Sequence, residues 1–239
     1  MICARLIDVA PDDKATRITY GLLNLTHRES SAAPEALEPG KRYRVRVPMN
    51  HIGAQIPEGH RIRLSLSSSY WPIAWPSPTP ARLTIHTDGA ALFLPVRPPR
   101  EADASVTFES PAGGVVGHKV QLVPSRHDWL ITRSLGEYEA TQEVIADEGL
   151  YRLEDIGLRV KEEMVSRFSH TYDRYETVTG ETTTERRFER DGWQVRTTTR
   201  TVLTATETHF RVHAEVDAYE NGTRVFSENY VREFERDLV

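Results

Sequence analysis

The sequence predicts an all-β protein, a β-sandwich followed by a second antiparallel β-rich domain. Three observations carry this. Arg61-Ile62-Arg63-Leu64-Ser65-Leu66-Ser67 alternates strictly between polar and apolar. That is the period of a half-buried strand, with Ile62, Leu64 and Leu66 on one face. Asp191-Gly192 and Asn221-Gly222 are each flanked by alternating runs, a strong short-range hairpin signal. Thr182-Thr183-Thr184 and Thr197-Thr198-Thr199 are β-branched runs, which suit a pleated surface better than a helix.

In chain order, residues 2–9 alternate as a strand, with Ile2, Ala4 and Leu6 set against Cys3, Arg5 and Ile7. Pro11-Asp12-Asp13 turns the chain, and 16–26, rich in Ile, Thr, Tyr and Leu, is strand again. Residues 29–40 are polar and read as a loop. Further strands are expected at 42–47, 60–67, 83–87 and 91–96. About six short strands with turn signals between them make a sandwich.

Residues 70–80 interrupt that pattern. Pro72, Pro76, Pro78 and Pro80 exclude a helix and a ladder-paired strand, because each removes an N–H donor and fixes φ. Tyr70, Trp71 and Trp75 therefore need a surface to lie on. Either they cap the end of the sandwich core, or they dock on another domain or line a cleft beside one. They are the interface or cleft candidates, and a domain–domain contact is the expectation tested below.

Several stretches resemble a known family. Cys3-Ala4-Arg5-Leu6-Ile7-Asp8-Val9-Ala10-Pro11-Asp12 is similar to the first strand and turn of the C-terminal domain of the CocE/NonD hydrolases, the cocaine-esterase and X-Pro dipeptidyl-peptidase relatives. Residues 19–28, 37–43, 56–64, Ser69-Tyr70-Trp71-Pro72 and Trp75-Pro76-Ser77-Pro78 resemble the segments that follow, in the same order, over roughly residues 2–98. The resemblance implies a jelly-roll-like β-sandwich packed against an α/β-hydrolase domain that these residues do not contain. It also implies hydrolase activity, of the ester or X-Pro peptide kind, for the whole enzyme.

The expected organisation is an N-terminally shortened jelly-roll-like sandwich at 1–98, a connector or arm at 99–127 and an antiparallel sheet domain at 128–239. Pro98-Pro99 between charged residues marks the boundary, and 101–125 read as an ordered loop or a mobile arm. Residues 157–172 carry two periods. Leu158, Val160, Met164, Phe168 and Tyr172 share strand parity, while the last four also recur every four residues as on a helix. Strand is preferred because the neighbours are strands. Residues 181–234 read as a four-stranded antiparallel meander. In it, Phe210, Val212, Ala214, Val216 and Ala218 face one way and His209, Arg211, His213, Glu215 and Asp217 the other. A sheet of this size must cover its apolar face, by curling over strands 129–172 or by packing on the first sandwich.

With 30 basic and 35 acidic residues the formal charge is −5, which favours neither nucleic acid nor an anionic membrane. The apolar runs are too short to span a bilayer. One cysteine, Cys3, excludes an internal disulfide, and with no secretory signal in view a cytoplasmic location is expected.

Catalytic chemistry is sought and not found. There is no G-x-S-x-G nucleophile elbow, so no triad residue can be carried over from the resembled family. Ser125, His127 and Asp128 are the right types, but triad members meet from separate segments. His209 and His213 mimic a helical zinc pair, yet four strand residues span ~13 Å, too far for one metal at ~2.1 Å from each ligand. Glu154-Asp155 and Glu162-Glu163, read as strand neighbours, point to opposite faces. No cofactor and no metal site is expected. The chain reads as a non-catalytic portion of a serine hydrolase, inactive alone, with a hydrolase domain or subunit supplied separately. The rival reading is a stand-alone binding module for a sugar, a peptide or a small apolar ligand. A homodimer is expected through the edge of the first sandwich, because strand 2–9 lacks a neighbour that the resembled family has. The alternative cover for that edge is the 101–125 arm.

Overall fold

The computed structural model describes residues 1–114 and 117–239; the part of the expected arm at 115–116 lies outside the described residues. The chain forms two antiparallel sheets. The first holds β1 (Ile2–Val9), β2 (Ala15–Leu23) and β3 (Arg61–Ser67) in the order β2-β1-β3. Ala4 lies opposite Gly21 and Leu66, and Leu6 opposite Thr19 and Leu64. Alternation in β1 therefore builds two small cores. Ile2, Ala4 and Leu6 are buried on one face and Cys3 and Val9 on the other.

Three expectations are corrected here. Strand β1 is not an edge: it is the central strand, bonded on both sides. The 101–125 arm does not cover it either, because Lys119–Val123 pairs in the other sheet. Segments 42–47, 83–87 and 91–96 join no ladder. Alternation says which side chains share a face; a ladder also needs a partner edge. Beside β2 the chain arrives as Pro48-Met49-Asn50, where Pro48 has no donor and the Asn50 amide alone bonds to the Tyr20 carbonyl at 3.0 Å.

The second sheet contains β4 (Lys119–Val123), β5 (Arg126–Ser134), β6 (Glu139–Leu153), β7 (Leu158–Thr171), β8 (Arg174–Arg190), β9 (Trp193–Ala205), β10 (His209–Glu220) and β11 (Thr223–Glu235). Its order is β11-β10-β9-β8-β7-β6-β4, with β5 also on β6. Residues 158–171 are strand, and the 181–234 meander is present as read. Asp191-Gly192 and Asn221-Gly222 both have two successive positive φ values, 47° and 80°, and 47° and 82°. That is the conformation a tight two-residue hairpin requires. Strands 139–171 do not lie beneath the meander. They continue its ladder through β7–β8, since the hairpin at Tyr172-Asp173 is as short as the others.

Register separates the faces of this sheet. Phe210 lies opposite Ala205 and Val212 opposite Leu203, Leu203 opposite Gly180, and Gly180 opposite Phe168. This apolar face carries the small and β-branched residues Thr182, Thr199 and Thr201. The opposite face is laced with cross-strand ion pairs. Arg200 meets Glu181 at 2.7 Å and Glu215 at 3.8 Å, Arg167 pairs with Glu143 at 2.5 Å, and Lys161 with Glu185 at 3.8 Å.

Cys3 gives a local test of the first core. It is fully buried at 0% exposure, and burial pushes its thiol pKa up. Its contribution to stability is complete below the unfolded thiol's ~8.5 and is lost as pH rises from there through the higher folded value. A thiol reagent at pH 8 is expected to label Cys3 only after denaturation. Rapid labelling of the native protein would contradict this packing.

Candidate functional site

The two sheets meet where residues 70–77 of the first part touch the apolar face of the second. Loss of amide donors at Pro72 and Pro76 keeps this stretch out of any ladder, and a turn closes it, the Ala74 amide bonding to the Tyr70 carbonyl at 3.0 Å. The three candidate aromatics divide their work. Tyr70 stays on the first sheet, edge-on to Tyr20 at 5.2 Å between centroids, with the Arg5 guanidinium 5.2 Å over its ring and its hydroxyl bonded to Arg17. Trp71 and Trp75 pack edge-on to each other at 5.1 Å and then reach across. Trp71 meets Phe168 of β7 at 5.8 Å, and Trp75 meets Phe210 of β10 at 6.0 Å. All are edge-to-face arrangements, which the ring quadrupoles favour. Gly180, between Phe168 and Leu203 in register, lies beneath Trp75. A Cβ there would stand 3.7 Å from that ring.

Arg236 closes the junction from the C-terminal side. It is 6% exposed and lies 4.7 Å over the Phe210 ring. It donates to the carbonyls of Pro76 at 2.7 Å, Val239 at 3.0 Å and Thr206 at 3.3 Å. Burial lowers its pKa below the usual guanidinium value. The Leu238 carbonyl accepts from Thr26 at 2.7 Å and from the Asn24 amide at 3.1 Å. The last four residues thus tie β11 back to the first sheet. Beside Arg236 lies a cavity of about 210 Å³ lined by Leu22, Asn24, Trp75 and Phe210.

The guanidinium is spent on backbone carbonyls, and across the cavity the Met1 ammonium donates to the Ser77 hydroxyl at 3.4 Å. The other sequence candidates lie apart. His127 reaches Glu148 at 3.5 Å, and Arg126 pairs with the adjacent Asp128 at 2.7 Å, so Ser125, His127 and Asp128 do not converge. His209 bonds to Thr208 at 2.9 Å and His213 lies 3.5 Å from Glu215. Among the described residues no group of three or more His, Cys, Asp and Glu could hold a metal ion, and no helix is long and apolar enough to cross a membrane. Glu154-Asp155 sits in a short 3-10 turn, not a strand. There Glu154 pairs with Arg152 at 2.6 Å and Asp155 with His118 at 3.0 Å.

Residues 1–110 match the family model of the X-Pro dipeptidyl-peptidase C-terminal non-catalytic domain. The match covers just under half of the chain. A stretch of 69 residues, 29% of the chain, is 35% identical to the cocaine esterase of Rhodococcus sp. (strain MB1 Bresler) and spans 12% of that enzyme's length. No solved structure matches the chain. The family model includes β1–β3 and the Tyr70–Pro80 segment and ends before β4. The junction therefore joins the part that is similar to this domain to a long-stranded sheet outside the match.

Phe168 and Phe210 were legible as apolar-face residues, though not as ring partners. Arg236 was not singled out; a lone arginine near Asp237 carries no local signal of burial.

Proposed function

We propose that this chain is the non-catalytic portion of a CocE/NonD-type serine hydrolase and buttresses a hydrolase domain that lies outside these 239 residues. The observation that carries the reading is an uncovered apolar strip on the part of the chain that matches this family. Ile62, Leu64 and Leu66 are 47%, 43% and 40% exposed, although they share a face with the buried Ala4 and Leu6. A face that starts apolar at β1 and stays apolar but bare at β3 suits a surface completed by another domain. Ester or X-Pro peptide hydrolysis belongs to that assembled enzyme, with the triad on its other domain.

The test is co-expression with the serine-hydrolase domain encoded in frame upstream or in the adjacent gene. The chain alone is expected to give no turnover of a p-nitrophenyl ester above background. The pair is expected to co-elute and hydrolyse the ester, and Leu64→Asp with Leu66→Asp to break co-elution. Two outcomes overturn the proposal: the absence of any G-x-S-x-G-bearing domain at either place, or turnover by the chain alone that disappears when one of its serines is replaced. Binding of a sugar or peptide by the aromatics is the weaker reading, because Trp71 and Trp75 already spend ring contacts on each other, Phe168 and Phe210.

A further inference from the structure

The second sheet ends in an open strand with an unusual sequence. Among the described residues strand β11 is bonded to β10 alone, and all thirteen of its residues are exposed. Long bare edges are normally blunted with charged side chains, lysine above all, with proline or with a bulge in mid-strand, and β11 carries charge at Arg224, Glu228, Arg232, Glu233 and Glu235. β11 contains neither lysine nor proline, and its register shift lies near the hairpin, at Ala218/Tyr219. From Phe226 to Glu235 the pairing with β10 is regular. The molecule as a whole exposes 17539 Å², whereas a folded 27.2 kDa monomer exposes about 11,000 Å².

We infer that β11 pairs antiparallel with β11 of a second copy, joining two eight-stranded sheets into one. Symmetry narrows the register. Antiparallel strands related by a two-fold axis keep their faces, so the axis passes midway between the two copies of one residue, and positions equally far on either side of it lie opposite each other. The row that continues the apolar face of β10 reads Phe226, Glu228, Tyr230, Arg232, Phe234. With Tyr230 on the axis, Phe226 faces Phe234 of the second copy, Glu228 faces Arg232, and the same pairs recur on the other side. An axis at Glu228 or Arg232 sets like charges against each other. One at Asn229 or Val231 leaves both charges opposite uncharged groups.

The charges themselves support this register. Flanking Arg224 and Glu233 are engaged within the chain, by Asp217 at 3.5 Å and Arg211 at 2.7 Å. Among the described residues Glu228 has no ion-pair partner, and Arg232 donates only to the Val231 carbonyl. Opposite-charge and aromatic cross-strand pairs are the stabilising units of a sheet. This dimer replaces the one expected at β1, and it is independent of the hydrolase contact proposed for β3.

A charge swap tests it. At 20 µM, light scattering is expected to give twice 27.2 kDa for the wild type. Glu228→Arg and Arg232→Glu are each expected to weaken self-association at least tenfold, because each sets two like pairs face to face. The two variants mixed in equal amounts are expected to form a heterodimer, and the double variant Glu228→Arg/Arg232→Glu to dimerise again. The positions are exposed, so the circular dichroism of each variant should match the wild type. A monomeric wild type overturns the inference, as does a Glu228→Arg variant that dimerises as tightly as the wild type. So does a failure of the mixture and the double variant to recover association.

Discussion

Gly21→Ala is expected to lift residues 48–50 off the first sheet and to destabilise it by about 3 kcal/mol, the upper end of the range for overpacking a tight site. Gly21 lies in mid-strand, opposite the buried Ala4. An added Cβ would stand 2.0 Å from the Pro48 carbonyl oxygen and 2.8 Å from its carbon. Both are backbone atoms, so no rotamer change relieves the clash. Moving the segment breaks the Asn50 amide bond to Tyr20 at 3.0 Å and the Thr19 hydroxyl bond to the Asn50 carbonyl at 2.8 Å. Denaturant unfolding followed by circular dichroism reads the loss, and hydrogen exchange at the Asn50 amide locates it. Gly180→Ala is the control. Its Cβ would meet Phe168 at 3.5 Å and Trp75 at 3.7 Å, ordinary contact distances, so a change within about 0.5 kcal/mol is expected. Equal effects at the two glycines would refute the close approach at Pro48.

Arg236→Ala is expected to open the junction and to cost on the order of 3 kcal/mol. Hydrogen bonds from a charged donor contribute roughly 1.5–3 kcal/mol each, and a buried acceptor left alone loses its desolvation as well. Three carbonyls lose a donor together, one of them on the buried Pro76. The stacking over Phe210 goes too. Arg236→Lys recovers little, because a single ammonium cannot reproduce a planar fork aimed at three acceptors. Arg236→Met keeps the packing on Phe210 and loses only the polar part, so it falls between the two. Trp71 and Trp75 report the event by fluorescence: Arg236→Ala is expected to red-shift emission as these half-buried rings gain water. An unchanged unfolding midpoint with unchanged emission would show that Arg236 does not hold the junction.

Much of this was legible in the residues because it depends on local chemistry. Asp191-Gly192 and Asn221-Gly222 impose a turn that only a hairpin can follow. Parity from His209 to Ala218 then assigns two faces that no neighbour can exchange without inverting the strand. The prolines at 72, 76, 78 and 80 equally determine that Tyr70, Trp71 and Trp75 stay outside any ladder. The tertiary structure decided what these faces and rings touch. Alternation at 42–47 resembles that of Arg61–Ser67, yet only the latter found the free side of β1 and became β3. Nothing within 2–9 could say that β1 would be central, because the strand that makes it so arrives about fifty residues later. Trp71 finds Phe168 and Trp75 finds Phe210 across nearly a hundred residues or more of chain, and Arg236 is buried only because Pro76, Thr206 and Val239 converge on it. A periodic pattern specifies a surface; the burial of a charge or a ring depends on which distant surface is brought against it.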